Sequence, residues 1–473
     1  MEETKKTFIN KAPLVEALGE YSKHPCVQFH IPGHTRGNAI LPQFKEILNQ
    51  NVALIDTTDE FDNLGTLHPA TGAIKEAQDL CAKAFGVQKS FFLLNGSTIG
   101  NLVLAITKIK PKDKVIIARN SHRSVISGMI FADANPVWLL PEKLEKWGIW
   151  GAITPDMVEK SIKENPDAKL VWITNPTYEG VVSDVEGISK VCKKHDIALF
   201  VDEAHGSLWN FTDRLPKSAI DCGADAVVHS FHKTAGSFSQ SSVLHIPKNS
   251  KLKIDEIESN LRLIHTTSPS ILLLSSLDAA RAYLSSKEGQ IAIEQNIERA
   301  NYIRNELEKA EHVHVLENDD DINIDPTKIY IQIDGMTGAR VETILELEFQ
   351  TEIESSNDKG FLVLSNIGNT KNEADFFINS IKQIAKASFS ELEHVEHTIY
   401  MPMINPEIVY SPRDAFYMEK EKVFTHQSVG KICAEVIAEC PPGIFILLPG
   451  ERITKEHLHY LKNYEQLHVI KQI

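Results

Sequence analysis

Four short stretches of this chain combine an amine, a carboxylate, imidazoles and small hydroxyls in an order that suits one kind of chemistry. Asp202-Glu203-Ala204-His205-Gly206 begins where the apolar run IALFVD (197–202) ends, and Lys233 stands just beyond DAVVHS (225–230), within His229-Ser230-Phe231-His232-Lys233-Thr234. Arg119-Asn120-Ser121-His122-Arg123-Ser124 follows KVIIA (114–118), and Asn95-Gly96-Ser97-Thr98 follows SFFLL (90–94) at what reads as a helix start. A carboxylate closing one strand and a lysine after the next are the groups a pyridoxal-phosphate site requires: an amine to form a Schiff base and an anion to face the pyridine nitrogen.

Each residue has a distinct task in that reading. Asp202 keeps the ring nitrogen protonated, because an opposite charge within hydrogen-bonding reach favours the charged form. Lys233 must shed its ammonium proton, which desolvation and a cationic neighbour such as His232 assist. Ser97 and Thr98, with Ser230 as a second contact, suit a phosphate, since a helix start offers free amides and a favourable dipole. Taken singly, these residues have ordinary explanations: a strand-terminal Asp is often a helix cap, a lone Lys is often solvated, and His122 fits a satisfied histidine at a helix start. Their order along one sheet favours the cofactor.

The elements that must position them follow an α/β rhythm. SFFLL, KVIIA, KLVWIT (169–174), IALFVD, DAVVHS and SVLHI (242–246) read as buried strands of a mainly parallel sheet. Helices are expected near 98–109, 121–132, 155–164 and 185–195. Ligands of open parallel sheets bind beyond the carboxyl ends of the strands, which is where these polar residues fall. Residues 276–311 read as helical, and the run NDDDINIDP breaks the chain before the strands IYIQI and FLVLS of a smaller α+β region. A proline-rich connection from residue 401 leads to an expected helix at about 426–438 and a terminal PPGIFILLPGE. The resulting division is an N-terminal segment (1–65), a large cofactor domain (66–275), a small α+β domain (276–395) and a C-terminal domain (396–473).

Bulk properties exclude several classes. With 49 basic against 64 acidic residues and a formal charge of −15, the chain is unsuited to a nucleic-acid surface. Its 6 cysteines lack CxxC spacing, so neither a zinc site nor a disulfide framework is expected. The opening MEETKKTFIN has no apolar core of signal-peptide length, and no run approaches the ~18 apolar residues of a membrane span, so a cytoplasmic protein is expected. GxGxxG, GxxxxGK[ST] and HExxH are absent. The acidic run from Asp319 mimics a calcium loop only in part, with Ile324 at the glycine position and Tyr330 at the closing glutamate position, so no metal is expected.

FHIPGHTRG (29–37), DNLGTLHPATGAIKEAQ (62–78), NGSTIGN, RNSHRSV, NPTYEG, VDEAHG, SFHK, TTSPS and the terminal PPG…PGE occur in an order that resembles the Orn/Lys/Arg decarboxylases of the fold type I pyridoxal-phosphate superfamily. Their shorter bacterial form, without an N-terminal wing domain, is the better likeness. The resemblance implies that Lys233 carries the cofactor and Asp202 pairs with its pyridine nitrogen. His122 would stack on one ring face, Ala204 would pack on the other, and His205 would approach the ring hydroxyl. Ser97, Thr98, Ser230 and His232 would hold the phosphate, with Thr266 or Thr267 reaching across from a partner subunit of a homodimer. Tyr178 and Glu451 would line the substrate entrance, and Glu451 or Glu179 would meet a distal cation.

Departures fall near the chain ends: Thr35 stands where the family usually has a basic residue, and Cys440, Phe445 and Phe424 replace an expected tyrosine and two prolines. They touch specificity more than the cofactor. The expected reaction is decarboxylation of a basic amino acid, arginine to agmatine first, then lysine or ornithine. Another fold type I reaction and a non-catalytic regulatory homologue are the alternatives, since one fold hosts many reactions.

Overall fold

The computed structural model describes residues 22–23, 25–57, 63–319, 322–388, 404–439 and 444–471. Its centre is a seven-stranded sheet. In chain order the strands are β1 (Lys89–Leu93), β2 (Lys114–Ala118), β3 (Asn135–Leu139), β4 (Leu170–Thr174), β5 (Ala198–Asp202), β6 (Ala226–His229) and β7 (Ser242–Ile246). Across the sheet they run β1-β7-β6-β5-β4-β2-β3, parallel throughout except for β7, which is antiparallel to both neighbours.

The continuous apolar runs arise because both faces of this sheet are covered. Successive residues alternate between two cores: Ile116, Val171, Leu199, Val201 and Val227 pack on one side, and Val115, Ile117, Trp172, Phe200 and Val228 on the other. The parallel strands β4, β5 and β6 therefore bring Thr174, Asp202 and the segment after His229 to one edge.

Strand β3 is not among the expected ones. It carries Pro136, which cannot donate to a ladder, and it survives because it is the outermost strand, paired only with β2. The stretch 276–311 resolves into two helices, Ile271–Leu284 and Lys287–Leu307, parted where Ser286 caps the second by accepting from the Gly289 amide.

A second, four-stranded antiparallel sheet contains β8 (Val313–Val315), β9 (Lys328–Ile333), β10 (Ser355–Ser356) and β11 (Phe361–Leu364), in the order β8-β9-β11-β10. Its core is closed by helix Lys287–Leu307 through Ala300 and Ile303 and by helix Lys371–Ser388 through Phe377 and Ile381. The N-terminal strand Val27–Phe29 joins this region by pairing with Thr351–Ile353, and the Phe29 ring lies 4.9 Å from that of Phe377.

The expected helix at 426–438 does not form. Thr425–Gln427 is a single 3-10 turn, Gly430 adopts φ +86°, and Ile437–Glu439 is a strand paired with Ile444–Leu447. Its backbone donors are taken elsewhere: the Cys433 amide reaches Glu451 O at 2.8 Å and the Ala434 amide reaches His468 O at 3.0 Å, which buries Ile432, Cys433 and Ala434 without a helix. Cys440 lies outside the described residues. Phe445 is fully buried and Phe424 is exposed, stacked on His426.

Candidate active site

A cavity of about 250 Å³ opens at the carboxyl edge of the large sheet. It gathers Ser97, Thr98, His122, Asp202, Ala204, His205, Ser230, His232, Lys233 and Tyr178 around one space. Asp202 ends β5 at its floor. One carboxylate oxygen accepts from Asn101 Nδ2 at 2.9 Å, while the other, Oδ1, is buried without a partner. An acceptor left unsatisfied in a buried site is costly unless a donor arrives, and a protonated pyridine nitrogen is such a donor.

Asn101 also donates to Ser124 Oγ at 2.9 Å, and Ser124 Oγ lies 2.8 Å from His122 Nδ1, so a single chain of contacts holds the carboxylate and the imidazole in place. Burial lowers the His122 pKa, against the opposing pull of Asp202. A neutral imidazole can stack on a ring without placing a second cation there.

The end of the cavity that suits a phosphate is built from the start of helix Gly96–Lys108. Its cap residue Asn95 makes no side-chain cap, so the first-turn amides of the helix are left to other partners. Gly96 adopts φ +66° and donates its amide to Gln240 O at 2.7 Å, which turns the chain into the helix. Ser97 Oγ lies 2.7 Å from Ser230 Oγ. His232 has its Nδ1 2.8 Å from Ser241 O, and burial brings its pKa to about 4.

Lys233 is partly buried, and desolvation lowers its pKa against the attraction of Asp202 and Glu354. Its Nζ lies 3.1 Å from His205 Nε2, and His205 Nδ1 lies 3.1 Å from Lys328 Nζ. Burial, then the two lysines, hold His205 well below the ordinary histidine range, and burial brings Lys328 to about 8. Tyr178 stands edge-on to His205 and donates to Glu354 Oε1 at 2.7 Å. The Pro-Gly-His segment near the start of the chain lies against the lysine: the Gly33 amide donates to His232 O at 3.0 Å, and a Cβ on Gly33 would come within 2.8 Å of Lys233 O.

Four expected residues, Thr266, Thr267, Glu451 and Glu179, are not brought into the cavity. Thr266 and Thr267 are exposed on the chain surface. Glu451 is buried in a two-pronged ion pair with Arg119, at 2.5 and 3.0 Å, and accepts from the Leu448 amide, so its oxygens are spent and it does not line the space. The four-residue likeness around Pro-Gly-Glu carried no information on that partner. Glu179 is also buried, and desolvation raises its pKa.

Asn101, Thr174, Lys328 and Glu354 were not singled out from sequence. Asn101 was within reach, because it follows Thr98 by three and Ser97 by four positions on one helical face. Thr174 closes β4 and meets the strand-end rule. Lys328 and Glu354 come from the second sheet and carry no local signal.

A mostly parallel sheet whose central strand delivers a half-satisfied carboxylate to a partly buried lysine defines a fold type I pyridoxal-phosphate enzyme. Comparison with known proteins narrows the class. Residues 12–331 match the Orn/Lys/Arg decarboxylase major domain and residues 394–469 match its C-terminal domain, so the chain belongs to the Orn/Lys/Arg decarboxylase family and is a pyridoxal-phosphate-dependent decarboxylase. It is 38% identical over 464 residues to an arginine decarboxylase of Bacillus anthracis, covering 96% of this chain and 93% of that protein. An arginine decarboxylase of Bacillus subtilis is 36% identical over 460 residues, with the same coverage of 96% and 93%. Among solved structures, lysine decarboxylase A from Pseudomonas aeruginosa superposes with a TM-score of 0.78 at 21% identity, covering 97% of this chain and 80% of that one.

Proposed function

We propose that this protein decarboxylates arginine to agmatine, with Lys233 as the lysine that carries the cofactor. The observation that supports arginine over lysine or ornithine is the near full-length similarity to arginine decarboxylases, which exceeds the 24% identity to a lysine decarboxylase of Pseudomonas aeruginosa. When bound, pyridoxal phosphate supplies an electron sink for the bond that breaks at Cα.

The chain's own residues bind, orient and hold protons. Asp202 Oδ1 would accept a hydrogen bond from the protonated ring nitrogen and keep it protonated, and Asn101 fixes that carboxylate. Ser97, Thr98 and Ser230 would hold the phosphate together with first-turn amides. With Nδ1 committed to Ser241 O, His232 would have Nε2 left for the phosphate. His122 and Ala204 would flank the ring, and His205 sits beside Lys233 Nζ, where a proton can be held or passed. In this reading the protein works in the cytoplasm as a homodimer whose partner subunit contributes Thr266 or Thr267. The exposure of those threonines and of neighbouring Leu263 supports that arrangement.

Release of CO2 from arginine, lysine and ornithine, with each amine identified, tests the assignment. Agmatine formation is expected to show the highest kcat/KM. Preference for cadaverine or putrescine would move the substrate, and keto-acid release without CO2 would contradict the reaction class. Borohydride reduction followed by peptide mapping is expected to find the pyridoxyl group on Lys233.

A further inference from the structure

His205 is held between two lysine amines, with Nε2 3.1 Å from Lys233 Nζ and Nδ1 3.1 Å from Lys328 Nζ. A neutral imidazole has one N–H and one lone pair, so it cannot accept from both amines. It is neutral here, because burial disfavours its charge. One of the two lysines must therefore be an unprotonated amine that accepts a hydrogen bond from the imidazole N–H.

The surroundings decide which. Lys328 lies 5.4 Å from the centre of the Tyr178 ring, and Glu354, Asp325 and Glu179 all favour its charge. Burial brings it only to about 8, so at neutral pH it remains an ammonium. Lys233 has Asp202 and Glu354 as its charge partners, and the imine chemistry requires it as the free base. The Lys328 stem has a prepared path: Gly180 adopts φ +107°, and a Cβ there would come within 2.9 Å of Lys328 Cβ. The Asp325 amide, three residues before Lys328, is tied to Gly180 O at 2.9 Å.

We propose that Lys328 is a positioning residue: its ammonium donates to His205 Nδ1, which places the imidazole proton on Nε2 and directs it at Lys233 Nζ, keeping that amine an acceptor. The second sheet thereby sets the protonation of a lysine carried by the first. This rests on Lys233 as the cofactor lysine.

Uptake of pyridoxal phosphate by the apo-protein, followed by visible absorbance between roughly pH 6 and 10, reads the free-base fraction of Lys233, because only the unprotonated amine condenses. Lys328→Met removes charge and donor at similar length and is expected to raise the midpoint by about one unit, about tenfold slower uptake near neutrality. Lys328→Arg restores the charged donor and is expected to return the midpoint most of the way. His205→Asn is expected to raise the midpoint by itself, and adding Lys328→Met to it should contribute less than half of the single-variant shift. An unmoved midpoint in Lys328→Met, or a full shift persisting in the His205→Asn background, overturns the proposal. Thermal melts of each apo-protein keep a folding defect apart from a titration shift, and His205→Asn remains informative if Lys328→Met does not fold. Stable cofactor attachment in Lys233→Ala would instead remove the assignment of the cofactor lysine.

Discussion

The floor of the cavity and its wall are made in different ways. On the floor, Asp202 ends a strand, Asn101 and Ser97 lie early in the helix after another, and His122 and Ser124 open the helix after a third, all at one edge of one sheet. In the wall, Tyr178 of the large region donates to Glu354, whose other oxygen accepts from the Ile31 amide at 3.0 Å, while Lys328 reaches His205 from the start of β9. The floor is a product of local strand-end geometry, and it is where we place the cofactor. The wall depends on long-range packing, so it can be altered without losing the cofactor, and reaction and substrate can diverge there.

Breaking the floor is expected to give the largest effect. Asp202→Asn keeps the side-chain shape and an oxygen for Asn101 but removes the charge that would face the ring nitrogen. Losing one member of a buried charge pair costs about 3–5 kcal/mol, roughly two to three and a half powers of ten in rate. At saturating cofactor, kcat for CO2 release should fall within that range. A loss below tenfold would take the ring partner away from Asp202 and with it the central feature of the floor.

The next effect concerns what holds the floor from outside. Arg119 precedes the His122 segment, its guanidinium lies 4.6 Å from the Trp138 ring and 4.5 Å from the Phe445 ring, and its ion pair with Glu451 leaves both side chains 2% exposed. Arg119→Met leaves the Glu451 carboxylate buried and unpaired, which is expected to destabilise by about 3 kcal/mol and lower the thermal midpoint. Replacing Glu451 by Gln as well should recover part of that loss. If the single variant melts like the parent, the C-terminal segment does not support the floor.

The floor was legible in the sequence for a physical reason. Strands buried on both faces are unbroken apolar runs, their ends are sharp, and Asp202, Lys233, Ser97 and His122 stand directly at those ends. Legibility failed where the determining contact is distant. Pro136 disguised β3, which is tolerable only at a sheet edge. Residues 426–438 have the composition of a helix, but Cys433 and Ala434 spend their amides on Glu451 and His468. Glu451 was placed at the substrate entrance because its motif could not reveal Arg119, and Lys328 lies 123 positions from the histidine it touches. The wall is invisible to periodicity for the same reason that it can vary.

The smallest predicted effect probes that separation of roles. Tyr178→Phe removes the donor to Glu354 Oε1 at 2.7 Å and leaves that oxygen short of a partner, while the carboxylate keeps the Ile31 amide. A single hydrogen bond of this kind contributes about 1 kcal/mol net, so kcat/KM for arginine should fall roughly fivefold. Because no floor residue is touched, the variant should retain the parent's cofactor absorbance and its affinity for pyridoxal phosphate. If the absorbance is lost along with the rate, Tyr178 helps to hold the cofactor, and the boundary between floor and wall must be redrawn to place it on the floor.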